Sequence, residues 1–137
     1  MGGTMKRGGK RRVLIVDNNE RILWTLQEAL ENAGFDTRTT WSGHEALALL
    51  KSKEFDVLLV DDYLPDLHAS DFLNRVGRLP IQPWIVVMQG ATPTASDLRY
   101  YALLGASAVI NKRDPVEVCS AVTSCGTDEL VAKVCAT

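Results

Sequence analysis

The sequence predicts a doubly wound α/β fold, a five-stranded parallel sheet with helices on both faces, and three observations carry that prediction. The chain has 137 residues, the size of one domain. From Arg12 onward, short apolar runs alternate five times with amphipathic segments, which is the rhythm of βα units. The runs Val13–Val16 and Val57–Val60 are apolar at every position, as strands covered on both faces must be. Right-handed crossovers then distribute the helices over the sheet. In such a fold ligand chemistry gathers at the carboxyl ends of the strands, beside the point where strand order reverses.

The elements follow in order. The first strand, Val13–Val16, ends in Asp17-Asn18-Asn19, and either asparagine suits an N-cap. A helix over about 20–33 is read from Ile22, Leu23, Leu26, Ala29, Leu30 and Ala33 at three-to-four spacing, with Gly34 placed to stop it. Phe35–Thr40 is a Thr-rich strand; Ser42 with Glu45 makes a capping box for a helix through Leu50. Asp56–Asp61 is the third strand, and the loop Asp62–Asp66 leads to a helix near Ala69–Val76. Pro80 and Pro83 bracket a linker into the strand Trp84–Met88, after which Thr94 or Ser96 starts a helix through Leu104 that Gly105 ends. Ala108–Ile110 is the fifth strand. Asp114 with Pro115 at the first helical position opens the last helix, Gly126 interrupts it, and Thr127–Leu130 offers a short further segment.

Composition excludes several classes. The chain is 46% hydrophobic and 23% charged, an ordinary globular balance. Its apolar runs fall far short of the roughly 20 residues of a membrane span. No apolar segment of signal-peptide type follows the N-terminus, so a cytoplasmic protein without membrane association is expected. The cysteines Cys119, Cys125 and Cys135 lack metal-site or redox spacing and are read as reduced thiols. Net charge is -2, yet Lys6, Arg7, Lys10, Arg11 and Arg12 make the first twelve residues strongly basic. We read residues 1–11 as a solvated basic arm, 12–125 as the domain and 126–137 as a C-terminal extension. Direct nucleic-acid binding is not expected, because no reader motif accompanies the arm. A dinucleotide or flavin site of similar topology is not expected, because the turn after the first strand reads Asp17-Asn18-Asn19-Glu20 instead of Gly-x-Gly-x-x-Gly; a colourless protein would argue against flavin.

The polar residues at strand ends are Asp17 and Asn18, Asp61 and Asp62, Gln89, and Lys112. With the stretches at 13–20, 56–65 and 104–112, they make the chain resemble the receiver domains of two-component response regulators, over about residues 12–125. The signature is joint: a strand-end acid, a strand-end Asp with Pro65 four residues on, and Gly105-Ala106 followed by the strand-end Lys112. The resemblance implies the flavodoxin-like (βα)5 receiver fold and a non-enzymatic role in a phosphorelay. A phosphoryl group would pass from a phosphohistidine to Asp61, then signal through a downstream protein partner. The implied metal is Mg2+, held by Asp17, Asn18, Asp61 and the backbone carbonyl of Tyr63, since this ion prefers oxygen ligands and needs one or two carboxylates. Lys112 would pair with a phosphoryl oxygen as a point charge. The implied partners are a sensor histidine kinase or phosphotransfer protein, and the family's habit of dimerising through its last helix is implied with them.

Departures from the family pattern set further expectations. Asn18 replaces a metal-ligating acid, so weak Mg2+ binding is expected. A Ser or Thr after the fourth strand is replaced by Gln89, or by Met88 when counted from Pro83; Gly90 favours Gln89, whose amide would donate to a phosphoryl oxygen or fill the pocket. Val109 stands at the aromatic switch position of the fifth strand, and Arg113 replaces a proline, so no cis peptide is expected there. Asp62 is read as a loop acid, and His68 and His44 as solvated histidines. Trp24, Trp41 and Trp84 are expected to pack; Tyr100 and Tyr101 likewise, or to serve a partner if their face is exposed. The alternative to a phosphoacceptor is a pseudo-receiver, a phosphorylation-independent interaction module on the same fold, favoured by Asn18, Gln89 and Val109.

Overall fold

A computed structural model describes residues 9–126. Its elements are β1 (Arg12–Val16), α1 (Glu20–Asn32), β2 (Asp36–Thr40), α2 (Gly43–Ser52), β3 (Val57–Asp61), α3 (Ala69–Val76), β4 (Trp84–Gln89), α4 (Ala95–Leu103), β5 (Ala108–Asn111) and α5 (Pro115–Ser124). The strands form one parallel sheet in the order β2-β1-β3-β4-β5, the flavodoxin-like order whose reversal lies between β1 and β3.

Strand alternation gives the sheet two differently covered faces. Val13, Ile15, Val57, Leu59, Val86, Met88 and Ile110 pack with α1 and α5 through Leu26, Leu30, Val118 and Val122. The intervening Leu14, Val16, Leu58, Val60, Ile85, Val87 and Val109 pack with α2, α3 and α4 through Leu47, Phe72, Leu73 and Tyr101. Fully burying one such side chain contributes about 1.5–3 kcal/mol, so the two layers hold the strand ends in register.

Local signals terminate the elements much as expected. Asn19, not Asn18, caps α1, its side chain accepting from Arg21 N and Ile22 N. Gly34 and Gly105 end α1 and α4 at φ of 98° and 100°, a left-handed conformation that glycine adopts without a Cβ penalty. Ser42 caps α2 by accepting from Glu45 N, but the expected capping box is only half made. The Glu45 carboxylate accepts from the Thr40 hydroxyl instead. The reciprocal box is at α4, between Thr94 and Asp97.

Two expectations are corrected. Trp24, Trp41 and Trp84 are 63%, 70% and 41% exposed: Trp24 lies off the Leu23-Leu26-Leu30 stripe, Trp41 occupies a turn, and Trp84 starts an otherwise buried strand. Arg11 is not solvated tail, since its guanidinium donates to the Cys125 carbonyl at 3.2 Å and its own carbonyl accepts from Asp36 N. His68 is exposed as expected, and its ring also caps α3 by accepting from Ser70 N. Cys119 and Cys125 are free thiols, and burial pushes the Cys125 thiol up to about 11. Lys6, Arg7, Cys135 and the segment Thr127–Leu130 lie outside the described residues.

Candidate functional site

The strand period of two and the register assemble the site. Val16 pairs with Val60, which brings Asp17 and Asp61, the next residue of each strand, to neighbouring positions at the reversal point. Both continue the parity of Ile15 and Leu59, so both carboxylates lie on the α1/α5 side of the sheet. Lys112, two residues beyond Ile110, shares that parity.

Lys112 Nζ donates to Asp17 Oδ2 at 2.9 Å and to Asp61 Oδ1 at 3.0 Å. Asp17 is fully buried and Asp61 nearly so. Asp17 Oδ1 also accepts from Asn19 N at 2.9 Å, which fixes the turn into α1. The constellation is therefore two desolvated carboxylates held by one ammonium. Burial, and then the charge of Asp17, push the Asp61 carboxyl up to about 6, against the hydrogen bond and charge of Lys112. Burial opposes the Lys112 charge, but its bonds to Asp17 and Asp61 outweigh it and hold the ammonium above its ordinary value.

This excess of negative charge fits a hard divalent cation. The oxygen donors brought together are the two carboxylates on Lys112; exposed Asn18 follows Asp17 in the chain, and Tyr63 lies in the loop after Asp61. Mg2+ is bound through one or two carboxylates while keeping several waters, and a cation there would offset the Asp17 charge that adds to burial in raising Asp61.

Around this centre the structure redistributes two expected roles. Met88, not Gln89, pairs with Asp61 in the strand register and is fully buried. Gln89 has the opposite parity, and its Nε2 donates to Asp97 Oδ2 at 3.1 Å and to the Ala91 carbonyl at 3.4 Å. Both bonds leave from the same amide nitrogen, on the face of the sheet opposite the Asp61 carboxylate. Asp97, bonded first by Thr94 N and then by Gln89, sits below its ordinary value. Val109 is buried among α3 and α4 residues. On that side Tyr101 of α4 lines a small cleft with Asp61, Asp62, Phe72 and Val87. Burial, then the charge of Asp62, push the Tyr101 hydroxyl up to about 12. Tyr100 stacks edge-on against it with centroids 4.9 Å apart and is half exposed.

One further residue escaped the sequence reading. Asp66 accepts from Ser42 Oγ at 2.9 Å, Gly43 N at 2.9 Å, His44 N at 3.0 Å and His44 Nδ1 at 2.8 Å, fastening the β3–α3 loop to the start of α2. Partial burial works against its ionisation, but the bonds from His44 and Gly43 outweigh that and hold it well below the usual carboxylate range. An acid two residues before a histidine in a loop carries no local mark of this role; the partner is a helix terminus 22–24 residues away.

Residues 13–123 match the sequence profile described as the response regulator receiver domain. The DNA-binding transcriptional regulator NtrC of Salmonella typhimurium is 38% identical over 76 residues, 55% of this chain and 16% of that protein. The cell cycle transcriptional regulator CtrA of Caulobacter vibrioides is 28% identical over 91 residues, 66% of this chain and 39% of that protein. The chain therefore spans about one sixth to two fifths of the length of these relatives. A CheY-like receiver domain from Methanospirillum hungatei superposes with a TM-score of 0.77 at 24% identity, covering 91% of this chain and 99% of that one. Another, from Methylobacillus flagellatus, gives 0.74 at 24% identity over 85% and 98%. At that identity the superpositions speak for the fold.

Proposed function

The chain belongs to the response regulator receiver family, and from that premise we propose that it accepts a phosphoryl group on Asp61 and signals through a protein partner. The observation that supports this most is the buried Asp17–Asp61 pair bridged by Lys112. An Asp61 oxygen attacks phosphorus as the bond to a histidine nitrogen of the donor breaks, giving an acyl phosphate and a neutral imidazole after proton uptake. Lys112, already on Asp61, is placed to follow the oxygens of the arriving group. Asp17, Asp61, the Asn18 amide oxygen and the Tyr63 carbonyl would hold Mg2+, which would supply positive charge to those oxygens. Asn18 brings no charge of its own, so the metal is held weakly.

The domain in this reading is 12–125, flanked by 126–137 and by 1–11, whose last residue, Arg11, bonds to the domain through its guanidinium and its carbonyl. Its phosphodonor is a sensor histidine kinase or phosphotransfer protein. No described helix is long and apolar enough to cross a membrane. The readout departs from a hydroxyl on β4 coupled to an aromatic on β5. Met88 and Val109 hold those places, and in this reading the sensing aromatic is Tyr101 on α4, which lines a small cleft with Asp61 and Asp62. The same substitutions favour a second reading, a pseudo-receiver that binds its partner without phosphate. Incubating the chain with Mg2+ and a sensor kinase carrying radiolabelled phosphohistidine separates the two. Label that moves to the chain and is absent in Asp61→Asn supports the acceptor; no transfer from a panel of kinases supports the interaction module.

A further inference from the structure

Two of the largest side chains in the protein sit where the fold makes no use of them. The core face of α1 is Leu23, Leu26 and Leu30, and Trp24 lies beside that stripe, 63% exposed. Trp41 occupies the turn between β2 and the Ser42 cap, 70% exposed. Both line one open groove of about 510 Å³ with Glu20, Leu23, Gln27 and Glu45. The groove carries two carboxylates and no basic residue, and it runs along α1 from Glu20 to Gln27, about 10 Å at 1.5 Å per residue. That length matches roughly three residues of extended peptide.

We propose that this groove docks an arginine-bearing segment of a partner protein. An indole face attracts a cation more strongly than any other side-chain ring, and a guanidinium stacks flat on it while its edge bonds a carboxylate in bidentate fashion. Trp24 and Trp41 supply the faces, Glu20 and Glu45 the acids. The same acids repel nucleic acid and anionic lipid and are complementary in charge to a basic protein segment. The groove also touches the site: Asn18 lines it beside Asp17, and Thr40, whose hydroxyl donates to Glu45, accepts from Asp17 N through its carbonyl. An occupant therefore bears on the loop that precedes α1. The proposal does not rest on phosphorylation of Asp61.

The test follows the three indole N–H signals by 1H–15N correlation spectroscopy in the full chain, each assigned by a Trp→Phe substitution. The probes are the end-blocked peptide Gly-Arg-Gly-Arg-Gly and its lysine and citrulline counterparts. The expected result is saturable movement of the Trp24 and Trp41 signals with the arginine peptide while Trp84 stays still. Weaker movement is expected with lysine and none with citrulline. Glu20→Gln combined with Glu45→Gln should weaken arginine-peptide binding at least about tenfold, with circular dichroism unchanged. No movement up to roughly millimolar peptide, equal movement with citrulline, or binding untouched by the double substitution overturns the proposal. So does binding that emerges only when residues 1–8 are deleted, which would make the chain's own arm the occupant.

Discussion

Replacing Asp61 with asparagine should stabilise the metal-free protein, although it removes the residue on which the proposed chemistry depends. Burial and the neighbouring Asp17 raise the Asp61 carboxyl from its ordinary 3.8 to about 6. The folded state therefore binds this proton more tightly than the unfolded chain does. Between those values stability falls as pH rises, because the native carboxyl must ionise in an unfavourable place. Above about pH 6 the full penalty applies, and the rise corresponds to roughly 3 kcal/mol. Asparagine, close in shape to the neutral acid, escapes it but gives up the strong form of the Lys112 bond, so about 1–3 kcal/mol is the expected gain. Urea unfolding in EDTA at pH 7.5, 5.5 and 4 measures it. Asp61→Asn should be the more stable protein at pH 7.5, with the gap narrowing at 5.5 and closing near 4. Equal or lower stability at pH 7.5, or a gap that widens on acidification, would refute the electrostatic reasoning.

Three other outcomes are expected. Asp66→Ala strips the loop bond from the start of α2 and, with half-exposed partners that water can serve, should cost about 1–2 kcal/mol by urea unfolding. Because Asp66 is held low in the folded state, its contribution is present above about pH 4 and fades as pH falls below it, so variant and wild type should converge in acid. Asn18→Asp adds a third carboxylate and should tighten Mg2+ binding about tenfold by calorimetry; an unchanged affinity would remove Asn18 from the metal site. Phe72→Ala empties a fully buried position under α3 and should cost about 3–5 kcal/mol in the same unfolding assay.

What the sequence revealed, and what it hid, divides along a physical line. Strands buried on both faces leave continuous apolar runs, and Gly34, Gly105, Thr94 and Asp114 mark ends through local backbone preferences, so the order of elements was legible. Asp17 and Asp61 were legible because each directly follows an apolar run, and Lys112 because it stands just past the end of the fifth strand, after Asn111. The errors concern direction. Gly90 drew attention to Gln89, but strand parity sends that side chain to Asp97 and leaves Met88 beside Asp61. Glu45 has the spacing of a capping box, yet Thr40 competes for its carboxylate. The tryptophans looked like packing because apolar periodicity counts their mass and not their angle on the helix or turn. Asp66 and Tyr101 act through contacts between distant elements, which no local pattern encodes.

The central claim is that Asp61 is a working acceptor despite Asn18, Met88 and Val109. Intact mass spectrometry of the purified chain after incubation with acetyl phosphate, with and without Mg2+ and beside Asp61→Asn, tests it most directly. The account predicts the gain of one phosphoryl group that requires Mg2+ and vanishes in the variant. An unchanged mass under every condition, or a gain that persists in Asp61→Asn, would contradict it.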